Sequence, residues 1–369
     1  MEKIFWGNNK SVERLNLQKF QEFIDLSSSE QMSFLQRDDG FPKHIISSAQ
    51  FNKEFLEYIF KLSKSLKSLH RGNINYINSL CSGFSVLNYF QQPSSRTFLS
   101  FSTAQSLLGI SKEEVRSLET SSFVKGESDF DSLRTISSYF DSIVCRHPSD
   151  HFHLFAAWVM GNSEREIPII NAGCGTKEHP TQALLDFYTI KESFQGSLDG
   201  LRIGFVGDCL RGRTVHSLAK LMANYQNIDF VFISPEKLQI DEGTSGYIKK
   251  QSPSSTVTLC SDGIDSHIKD LDVIYMTRIQ KERLPDEDEY AKVAGAYKLH
   301  ANHLSDVKAG MIIMHPLPRV DEIHPSVDAT RHARYFEQAF NGVVARMALL
   351  CKLLGVKVPA DVMKAGGAL

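Results

Sequence analysis

The sequence predicts an α/β protein with two doubly wound domains, each built on a parallel sheet. The chain has 369 residues, whereas a single domain usually has about 100–200, so two domains are expected. From Ile45 onward, short apolar runs alternate with helical patterns, which is typical of strands in a parallel sheet. Polar motifs follow six of these runs. Because open α/β sheets bind ligands at the carboxyl ends of their strands, these motifs predict one functional edge.

Residues 1–42 are predicted to form a helical extension before the first domain. Leu15, Phe20, Phe23 and Ile24 recur with roughly helical spacing, and the serines of SSSEQMSFL favour a helix start. The turn DDGFPK then separates this extension from the rest of the chain. A helix that packs on its own domain is the preferred interpretation, and an arm that binds a partner is the alternative.

The first domain is predicted to span 43–182 and the second 183–340, and a C-terminal helix at about 341–358 is predicted to return to the first domain. The polar, turn-rich segment 241–255 is predicted to be a surface loop or a short helix. Strands are predicted at 85–90, 141–145, 167–172, 201–207, 228–234, 272–277 and 311–315. Helices are predicted at 96–108, 181–191, 213–225 and 334–354.

The composition is that of an ordinary soluble protein. Lys and Arg number 41 against 43 Asp and Glu, a net charge of −2, which argues against a broad nucleic-acid or membrane-binding surface. Six scattered cysteines without a CxxC pair suit a reducing compartment. The first residues lack the apolar core of a signal peptide, and no apolar run reaches the roughly 18 residues of a membrane span. A cytoplasmic location is therefore expected.

The motif PSSRTFLSFSTAQSLLG at 93–109 predicts an anion site. Ser94 and Ser95 suit a helix N-cap, and apolar residues at helical spacing over 98–108 predict a buried helix face. The free N–H groups and the positive dipole end of such a helix attract an anion, and Arg96 adds a guanidinium suited to phosphate. The alternative is a plain capped helix with a surface arginine. The chain has no GxxxxGK[ST] loop.

The motif HPTQALLDFYTI at 179–190 predicts a second helix start, with Pro180 in the favoured first position. His179 and Gln182 then lie at or beside the first turn. A neutral histidine and a glutamine can donate hydrogen bonds to a carbonyl oxygen, and the glutamine can also accept one from an amide. This pair therefore suits a carbamoyl group, and a capping histidine is the alternative.

Several arginines follow predicted strands. One arginine at a strand end is usually solvated, but four of them together with Arg96 at one edge indicate anionic ligands, because guanidinium groups bind phosphate and carboxylate in a bidentate manner. Lys125, in SSFVKGES, would ordinarily be a surface lysine. The four arginines are Arg146, Arg213, Arg278 and Arg283.

Two other site types have little support. GFVGDCLRGR lacks the GxGxxG spacing of a dinucleotide turn. His147, His151 and His153 lie close together in the sequence and could ligate a metal. No cysteine or carboxylate completes that set convincingly, so no metal is predicted.

Seven motifs in order resemble the catalytic chains of the aspartate carbamoyltransferase family, over about 43–355. The resemblance implies transfer of the carbamoyl group from carbamoyl phosphate to L-aspartate in de novo pyrimidine synthesis, without a cofactor. HPLPRVDEI and TRIQKER are specific within the wider superfamily, since ornithine-using relatives resemble HCLP at the former position. The motifs are SSRTFLSF, KGES, RHP, HPTQALLD, GRTVHSL, YMTRIQKER and HPLPRVDEI.

The resemblance also implies roles for individual residues. The residues matching the family's phosphate-binding loop are Ser94, Ser95, Arg96 and Thr97. Those matching the groups around the carbamoyl carbonyl and amide are Arg146, His179 and Gln182, with the backbone of Pro316 and Leu317. Those matching the aspartate-binding set are Arg213, Arg278 and Gln280, and Lys125 is also expected to bind aspartate. Ser121 and Lys125 match a loop that reaches into a neighbouring subunit's site, so at least a homotrimer with shared active sites is expected. The residues expected to act in catalysis are Arg96, Thr97, Arg146, His179 and Lys125.

Three positions depart from the family pattern. Ser95 replaces a threonine but keeps the hydroxyl, and Phe98 replaces an arginine, which predicts a change in packing. Gln92 replaces a glutamate that pairs with arginines to hold the domains closed, so weaker closure is expected. Gln92 and Phe98 motivate one rival hypothesis, a non-catalytic paralogue that binds carbamoyl phosphate or serves assembly. A second rival is a carbamoyltransferase with another amino-acid acceptor. The second is disfavoured by Arg278 and Gln280, which suit a second carboxylate.

Overall fold

The computed structural model describes residues 16–72, 74–116, 127–279 and 296–365. They form two compact units, the first within Met1–Thr181 and Val343–Leu369 and the second within Gln182–Gly342. Each unit contains a fully parallel sheet flanked by helices. The predicted α/β class with two parallel sheets is confirmed.

Unit 1 contains a four-stranded sheet in the order β2-β1-β3-β4. Its central strands are mostly apolar because helices cover both faces of a parallel sheet; every residue of β3 is buried. The strands are β1 (Ser85–Phe90), β2 (Ser111–Val115), β3 (Ser142–Arg146) and β4 (Ile169–Asn171). The helices are α1 (Leu17–Ile24), α2 (Ser28–Leu35), α3 (Lys53–Gly72), α4 (Ile74–Ser79), α5 (Ser95–Leu107), α6 (Asp129–Tyr139) and α7 (Phe152–Gly161).

Unit 2 contains a five-stranded sheet in the order β7-β6-β5-β8-β9. From β5 the chain adds β6 and β7 on one side and then β8 and β9 on the other, which is the arrangement of a doubly wound sheet. The strands are β5 (Arg202–Val206), β6 (Asp229–Ile233), β7 (Thr256–Cys260), β8 (Val273–Met276) and β9 (Ile312–Met314). The remaining α-helices within the described ranges are α8 (Pro180–Ser193), α9 (Arg213–Met222), α10 (Glu242–Gln251), α11 (Tyr335–Leu353) and α12 (Ala360–Ala365).

The N-terminal extension packs on its own unit, as the preferred interpretation held. The ring of Phe20 on α1 lies 5.0 Å from that of Phe155 and 5.5 Å from that of Trp158. Both partners belong to α7, which is apolar on all sides and therefore needs cover on its outer face as well. Phe34 of α2 lies so close to Gly161 that a β-carbon there would be 2.3 Å from its ring.

The end of α11 returns to unit 1, which confirms the predicted C-terminal helix. From Val343 onward its residues belong to that unit. Arg346 is buried there, donates to the Ser100 hydroxyl at 2.8 Å, and lies 4.9 Å from the ring centre of Phe101. The return therefore connects α11 directly to α5, the helix that carries the SSRT motif.

Two strands were not predicted, and they share one cause. β2 (SKEEV) and β7 (TVTLC) are edge strands whose residues are mostly exposed, so they lack the apolar run by which buried strands were recognised. Charged residues on an edge strand also discourage pairing with another chain. The segment at 241–255 contains α10, in agreement with the short-helix alternative. Among the described residues no helix has an apolar stretch long enough to cross a bilayer.

Candidate active site

The SSRT motif lies at the start of α5, immediately after β1. Ser94 occupies the N-cap position with an extended backbone, and its side chain makes no capping hydrogen bond among the described residues. The hydroxyl therefore does not occupy the N–H groups of the first turn. Arg96 is exposed; partial burial lowers its pKa, yet a guanidinium stays charged at neutral pH. This helix start presents N–H groups, hydroxyls and a positive charge together.

Three buried polar side chains from separate parts of unit 1 come together beside this helix start. Thr97 is on α5, Arg146 ends β3, and His179 immediately precedes α8; they are 8%, 7% and 4% exposed. The Thr97 hydroxyl lies 3.3 Å from His179 Nε2, and Arg146 donates to the carbonyl of Ala172 at 3.1 Å. A hydroxyl, a guanidinium and an imidazole thus form one cluster of hydrogen-bonding groups.

Gly173 is the point at which Arg146 and His179 approach each other. A β-carbon on this glycine would lie 2.6 Å from a guanidinium nitrogen of Arg146 and 3.0 Å from the ring of His179. Its φ of +98° is also in the region that favours glycine. Sequence analysis did not identify Gly173, although NAGCG directly after a strand is a signal for a tight turn.

Gln182 is oriented by a buried carboxylate in unit 2. Its amide nitrogen donates to Asp186 Oδ1 at 2.9 Å. Asp186 also accepts from the amide of Gln338 at 2.6 Å and from the hydroxyl of Tyr275 at 2.7 Å. With its NH₂ group directed at Asp186, Gln182 keeps its carbonyl oxygen available as an acceptor. Sequence reasoning identified Gln182 but not Asp186, one helical turn later.

A second carboxylate shapes the segment that contains Pro316 and Leu317, after β9. Glu322 accepts from His315 Nε2 at 2.7 Å, and His315 Nδ1 accepts from the backbone N–H of Leu317 at 2.7 Å. Burial raises the pKa of Glu322, but the hydrogen bond from His315 and backbone N–H donors outweigh it, so the pKa is lowered overall. Leu317 has a φ of +54°, a conformation that a non-glycine residue keeps only when its surroundings hold it.

The predicted acceptor-binding arginines lie at one edge of the unit 2 sheet. Arg213 begins α9, and Arg278 follows β8 by two residues; both are partly exposed. The parallel pairing of Val206 with Met276 makes the segments after β5 and β8 neighbours. Four predicted residues, Ser121, Lys125, Gln280 and Arg283, lie outside the described parts of the chain.

The structure shows the contacts of Phe98 and Gln92, two of the residues that depart from the family pattern. Phe98 is buried and packs edge-on against Phe90, with 5.4 Å between ring centres. The guanidinium of Arg116 lies 3.7 Å over the Phe98 ring, so the aromatic residue supports a cation by a cation–π contact. The backbone N–H of Gln92 donates to the carbonyl of Arg146 at 3.3 Å. The expected weaker closure stays a prediction.

Two of the three histidines considered as metal ligands make other contacts. His147 stacks on Phe152 at 4.1 Å and accepts a backbone N–H at Nδ1, while His153 forms a hydrogen bond with Cys174. Across the described ranges, His147, His151 and His153 do not form a metal-sized group. A separate group, Cys260, Asp262 and His267, has potential ligand atoms within 4.8 Å, and His267 is already hydrogen-bonded to Asp262 at 2.7 Å.

Two family models match the chain and together cover most of it. The aspartate/ornithine carbamoyltransferase carbamoyl-P binding domain matches residues 43–192, and the Asp/Orn binding domain of the same family matches residues 199–353. The parallel sheets and the motifs at their edges thus correspond to a two-domain carbamoyltransferase. The N-terminal extension precedes the matched region.

Relatives of known name narrow this class. The aspartate carbamoyltransferase catalytic subunit of Thermococcus kodakarensis is 44% identical over 316 residues, 85% of this chain and 97% of that protein. The catalytic subunit from Archaeoglobus fulgidus is 42% identical over 312 residues, 85% of this chain and 99% of that protein.

Solved structures agree with these relatives. The M. jannaschii aspartate transcarbamoylase catalytic subunit has a TM-score of 0.76 at 41% identity, covering 85% of this chain and 99% of that one. Aspartate transcarbamoylase from Trypanosoma cruzi, solved with carbamoyl phosphate and aspartate, has a TM-score of 0.75 at 34% identity, covering 87% and 98%. The chain therefore belongs to the aspartate/ornithine carbamoyltransferase family, as an aspartate carbamoyltransferase catalytic chain, which confirms the resemblance carried by its motifs.

Proposed function

We propose that this chain transfers the carbamoyl group of carbamoyl phosphate to the amino group of L-aspartate, releasing phosphate, as a cytoplasmic step of de novo pyrimidine synthesis. The observation that carries the proposal is the buried cluster of Thr97, Arg146 and His179 beside the N-terminus of α5. The motif order and the family membership support the same reaction. N-carbamoyl-L-aspartate is the expected product.

Unit 1 is proposed to hold the carbamoyl phosphate by its phosphate and its carbonyl. The N–H groups at the start of α5, the hydroxyls of Ser94 and Ser95 and the guanidinium of Arg96 neutralise the phosphate. Thr97, Arg146 and His179 donate to the carbonyl oxygen, on which negative charge grows when the amine attacks. Fixed donors directed at developing charge typically contribute about 10²–10³ each in rate.

Unit 2 is proposed to recognise the carbamoyl amide and the aspartate. The carbonyl oxygen of Gln182 and the backbone carbonyls of Pro316 and Leu317 accept from the carbamoyl NH₂ group. Arg213, Arg278 and Gln280 bind the two aspartate carboxylates, because guanidinium groups match carboxylates in a bidentate manner. When the new C–N bond forms and the C–O bond to phosphate breaks, the departing phosphate accepts the proton of the amine. The reaction therefore needs positioned donors and proximity rather than a covalent intermediate.

The activity assay is direct. The full chain is incubated with carbamoyl phosphate and aspartate, then with ornithine and its acylated forms, and the carbamoylated product is identified by mass spectrometry. Turnover with aspartate alone is expected. Turnover with another acceptor would replace the substrate assignment, and no turnover with any acceptor at high protein concentration would favour the non-catalytic hypothesis.

We further propose a homotrimer in which Ser121 and Lys125 of one subunit complete a neighbour's site. Arg96→Ala and Lys125→Ala should each be inactive alone, because each site then lacks one cation. Mixed and reassembled, they should regain a fraction of wild-type activity, since some sites combine two intact contributions. Lys112→Ala, at a surface lysine that contacts Ser102 and Ser106, is the matched control and should stay active. A mixture that remains inactive would overturn the shared site.

A further inference from the structure

Two buried cysteines of unit 1 lie in near contact beside the arginine of the candidate site. Cys145 is the residue before Arg146 on β3, and Cys174 is in the turn after β4. Their sulfur atoms are 3.6 Å apart, and both side chains are 0% exposed. A disulfide bond has an S–S distance of about 2.05 Å, so the two sulfurs need to approach by roughly 1.5 Å to form one.

The turn holds Cys174 in this position through its backbone. The side-chain oxygen of Asn171 accepts from the N–H groups of both Gly173 and Cys174 at 2.8 Å. The N–H of Ala172 donates to the carbonyl of Cys145 at 2.8 Å. The turn is therefore hydrogen-bonded to the strand that carries Cys145. A disulfide between the two cysteines requires a local movement and no long-range rearrangement.

Several hydrogen-bonding groups around Cys174 lower the pKa of its thiol, which can also donate to the carbonyl oxygen of Cys145 at 3.3 Å. The backbone N–H of His147 donates to its sulfur at 3.3 Å, and the His153 imidazole forms a hydrogen bond with it. Burial raises the pKa of Cys174, but the hydrogen bonds from Cys145 and His153 and the charge of His153 outweigh it, so the pKa is lowered overall. Burial raises the pKa of Cys145, as does its hydrogen bond to Cys174. Cys174 is therefore the nucleophile of the pair, because the thiolate is the reactive form.

We propose that Cys145 and Cys174 are a redox modification site, in which hydrogen peroxide converts the pair to a reversible disulfide that weakens carbamoyl transfer. The Cys174 thiolate attacks a peroxide oxygen, the O–O bond breaks, and with one proton the products are a sulfenic acid and water. The Cys145 thiol then attacks that sulfur and releases a second water. In total, two thiols and one peroxide give one disulfide and two waters, and a thiol reductant restores both cysteines.

Burial selects the oxidant. A low-molecular-weight disulfide is large and must align with the attacking sulfur, whereas hydrogen peroxide is only slightly larger than water and can reach a covered thiolate through small openings. The resolving thiol is already adjacent. The second step therefore competes well with further, irreversible oxidation of Cys174.

The effect on the site follows from Gly173, the residue before Cys174. Its backbone fits against both Arg146 and His179, so closely that a β-carbon would be 2.6 Å from the guanidinium. Drawing Cys174 toward Cys145 moves this glycine and the strand end next to Arg146. A displacement of about 1 Å in a catalytic site can cost about 10²-fold in rate. This kinetic step rests on the proposed function.

Another cysteine pair provides a comparison within the same chain. The sulfurs of Cys81 and Cys351 are 3.7 Å apart and buried, so their separation is nearly the same. The hydrogen bond to Cys81 and burial raise the pKa of Cys351, so it stays a thiol. The two pairs have similar sulfur–sulfur distances, but Cys174 has a lowered pKa and Cys351 a raised one. Peroxide is therefore expected to oxidise Cys145 and Cys174 first.

The experiment treats the reduced full chain with hydrogen peroxide, blocks remaining thiols, and digests with trypsin without reduction. The expected product is one linked species joining peptides 135–146 and 166–177, which contain Cys145 and Cys174 and no other cysteine. In parallel, kcat/KM for carbamoyl phosphate should fall at least tenfold and recover with dithiothreitol. Cys81→Ser should keep this reversible loss, whereas Cys145→Ser should be active when reduced and lose the reversibility.

Three results would overturn the proposal. They are the absence of the linked species when Cys174 is otherwise oxidised, an unchanged kcat/KM when the link is complete, and a loss of activity that follows a Cys81–Cys351 link. If Cys145→Ser does not fold, the peptide and kinetic measurements on the wild-type chain still decide. If the reduced chain carbamoylates no acceptor, the proposed function fails, and the disulfide is judged from the linked peptides alone.

Discussion

The two units hold their candidate functional groups in different ways. In unit 1 three of the groups, Thr97, Arg146 and His179, are themselves buried, and Arg146 and His179 fit against the backbone of Gly173. In unit 2 the groups are partly exposed side chains or backbone atoms. Buried carboxylates position two of them: Asp186 holds Gln182, and Glu322 holds the Leu317 backbone through His315. Unit 1 should therefore be sensitive to changes in the contacting residues, and unit 2 to changes at residues that never touch a substrate.

Among the variants that test this comparison, the largest expected effect is from His179→Ala in unit 1. Loss of one donor to a developing charge should lower kcat by about 10²–10³, measured as carbamoyl-aspartate formation. His151→Ala is the control, because its side chain is exposed and makes no capping hydrogen bond among the described residues. A kcat for His179→Ala within threefold of wild type would remove His179 from the proposed set.

Gly173→Ala tests whether the fit around the glycine matters. The new β-carbon would meet Arg146 and His179, so kcat/KM for carbamoyl phosphate should fall by about 10–10². Gly196→Ala separates this effect from backbone strain, since Gly196 has a similar φ of +93° and nothing within 4 Å of a β-carbon. Both variants should lose about 1–3 kcal/mol of stability. Equal kinetics in the two would mean that strain alone is responsible.

Asp186→Asn tests whether a buried residue of unit 2 positions Gln182 without contacting the substrate itself. The amide that replaces the carboxylate turns an NH₂ group toward donors of Gln182, Gln338 or Tyr275, so Gln182 loses its fixed orientation and KM for carbamoyl phosphate should rise about tenfold, a change of roughly 1.4 kcal/mol. Tyr275→Phe removes one of the donors and keeps the charge, so its KM should change less than threefold. An equal or larger effect of Tyr275→Phe would contradict the positioning role of Asp186.

Glu322→Gln should have the smallest effect on activity and a distinct effect on stability. Because the pKa of Glu322 is lower in the folded chain, its stabilisation is present above the unfolded value of about 4.3 and is lost as the pH falls through the folded value. Glu322→Gln should thus be less stable by about 1–3 kcal/mol at pH 7, with a smaller deficit near pH 3.

Urea unfolding between pH 3 and pH 7 measures the difference in the free energy of unfolding between wild type and Glu322→Gln. Glu337→Gln, at a surface carboxylate paired with Arg334, is the control and should follow wild type closely. A deficit of Glu322→Gln that stays constant with pH would assign its effect to packing rather than charge.

The sequence was sufficient for the buried parts of the fold and insufficient for its edges. SVLNYF is mostly apolar and buried, and β1 has those bounds. SKEEV has the polar composition of a loop, so its sequence alone does not indicate a strand. It is a strand because it pairs with β1. The local pattern of apolar and polar residues indicates which segments are buried. An edge strand is instead defined by hydrogen bonds to a neighbour that is distant in sequence.

The same division applies to the site. Thr97, Arg146 and His179 could be selected because each follows a recognisable strand or opens a helix. Asp186 and Glu322 could not, because a carboxylate on a helix or in a loop is ordinarily a solvated surface group. Their importance depends on burial and on partners such as Gln338, far along the chain from Asp186.

The packing of α1 and α2 against α7 has a consequence for synthesis of the chain. Phe20 and Phe23 leave the ribosome long before Phe155 and Trp158, and at roughly 5–20 residues per second the delay is on the order of ten seconds. During that interval the extension has aromatic side chains without their partner surface. The capping box of Ser27 and Glu30 on α2 is local and can form at once. Chaperone demand on the nascent chain should therefore be concentrated on this early segment, and should end when α7 emerges to receive it.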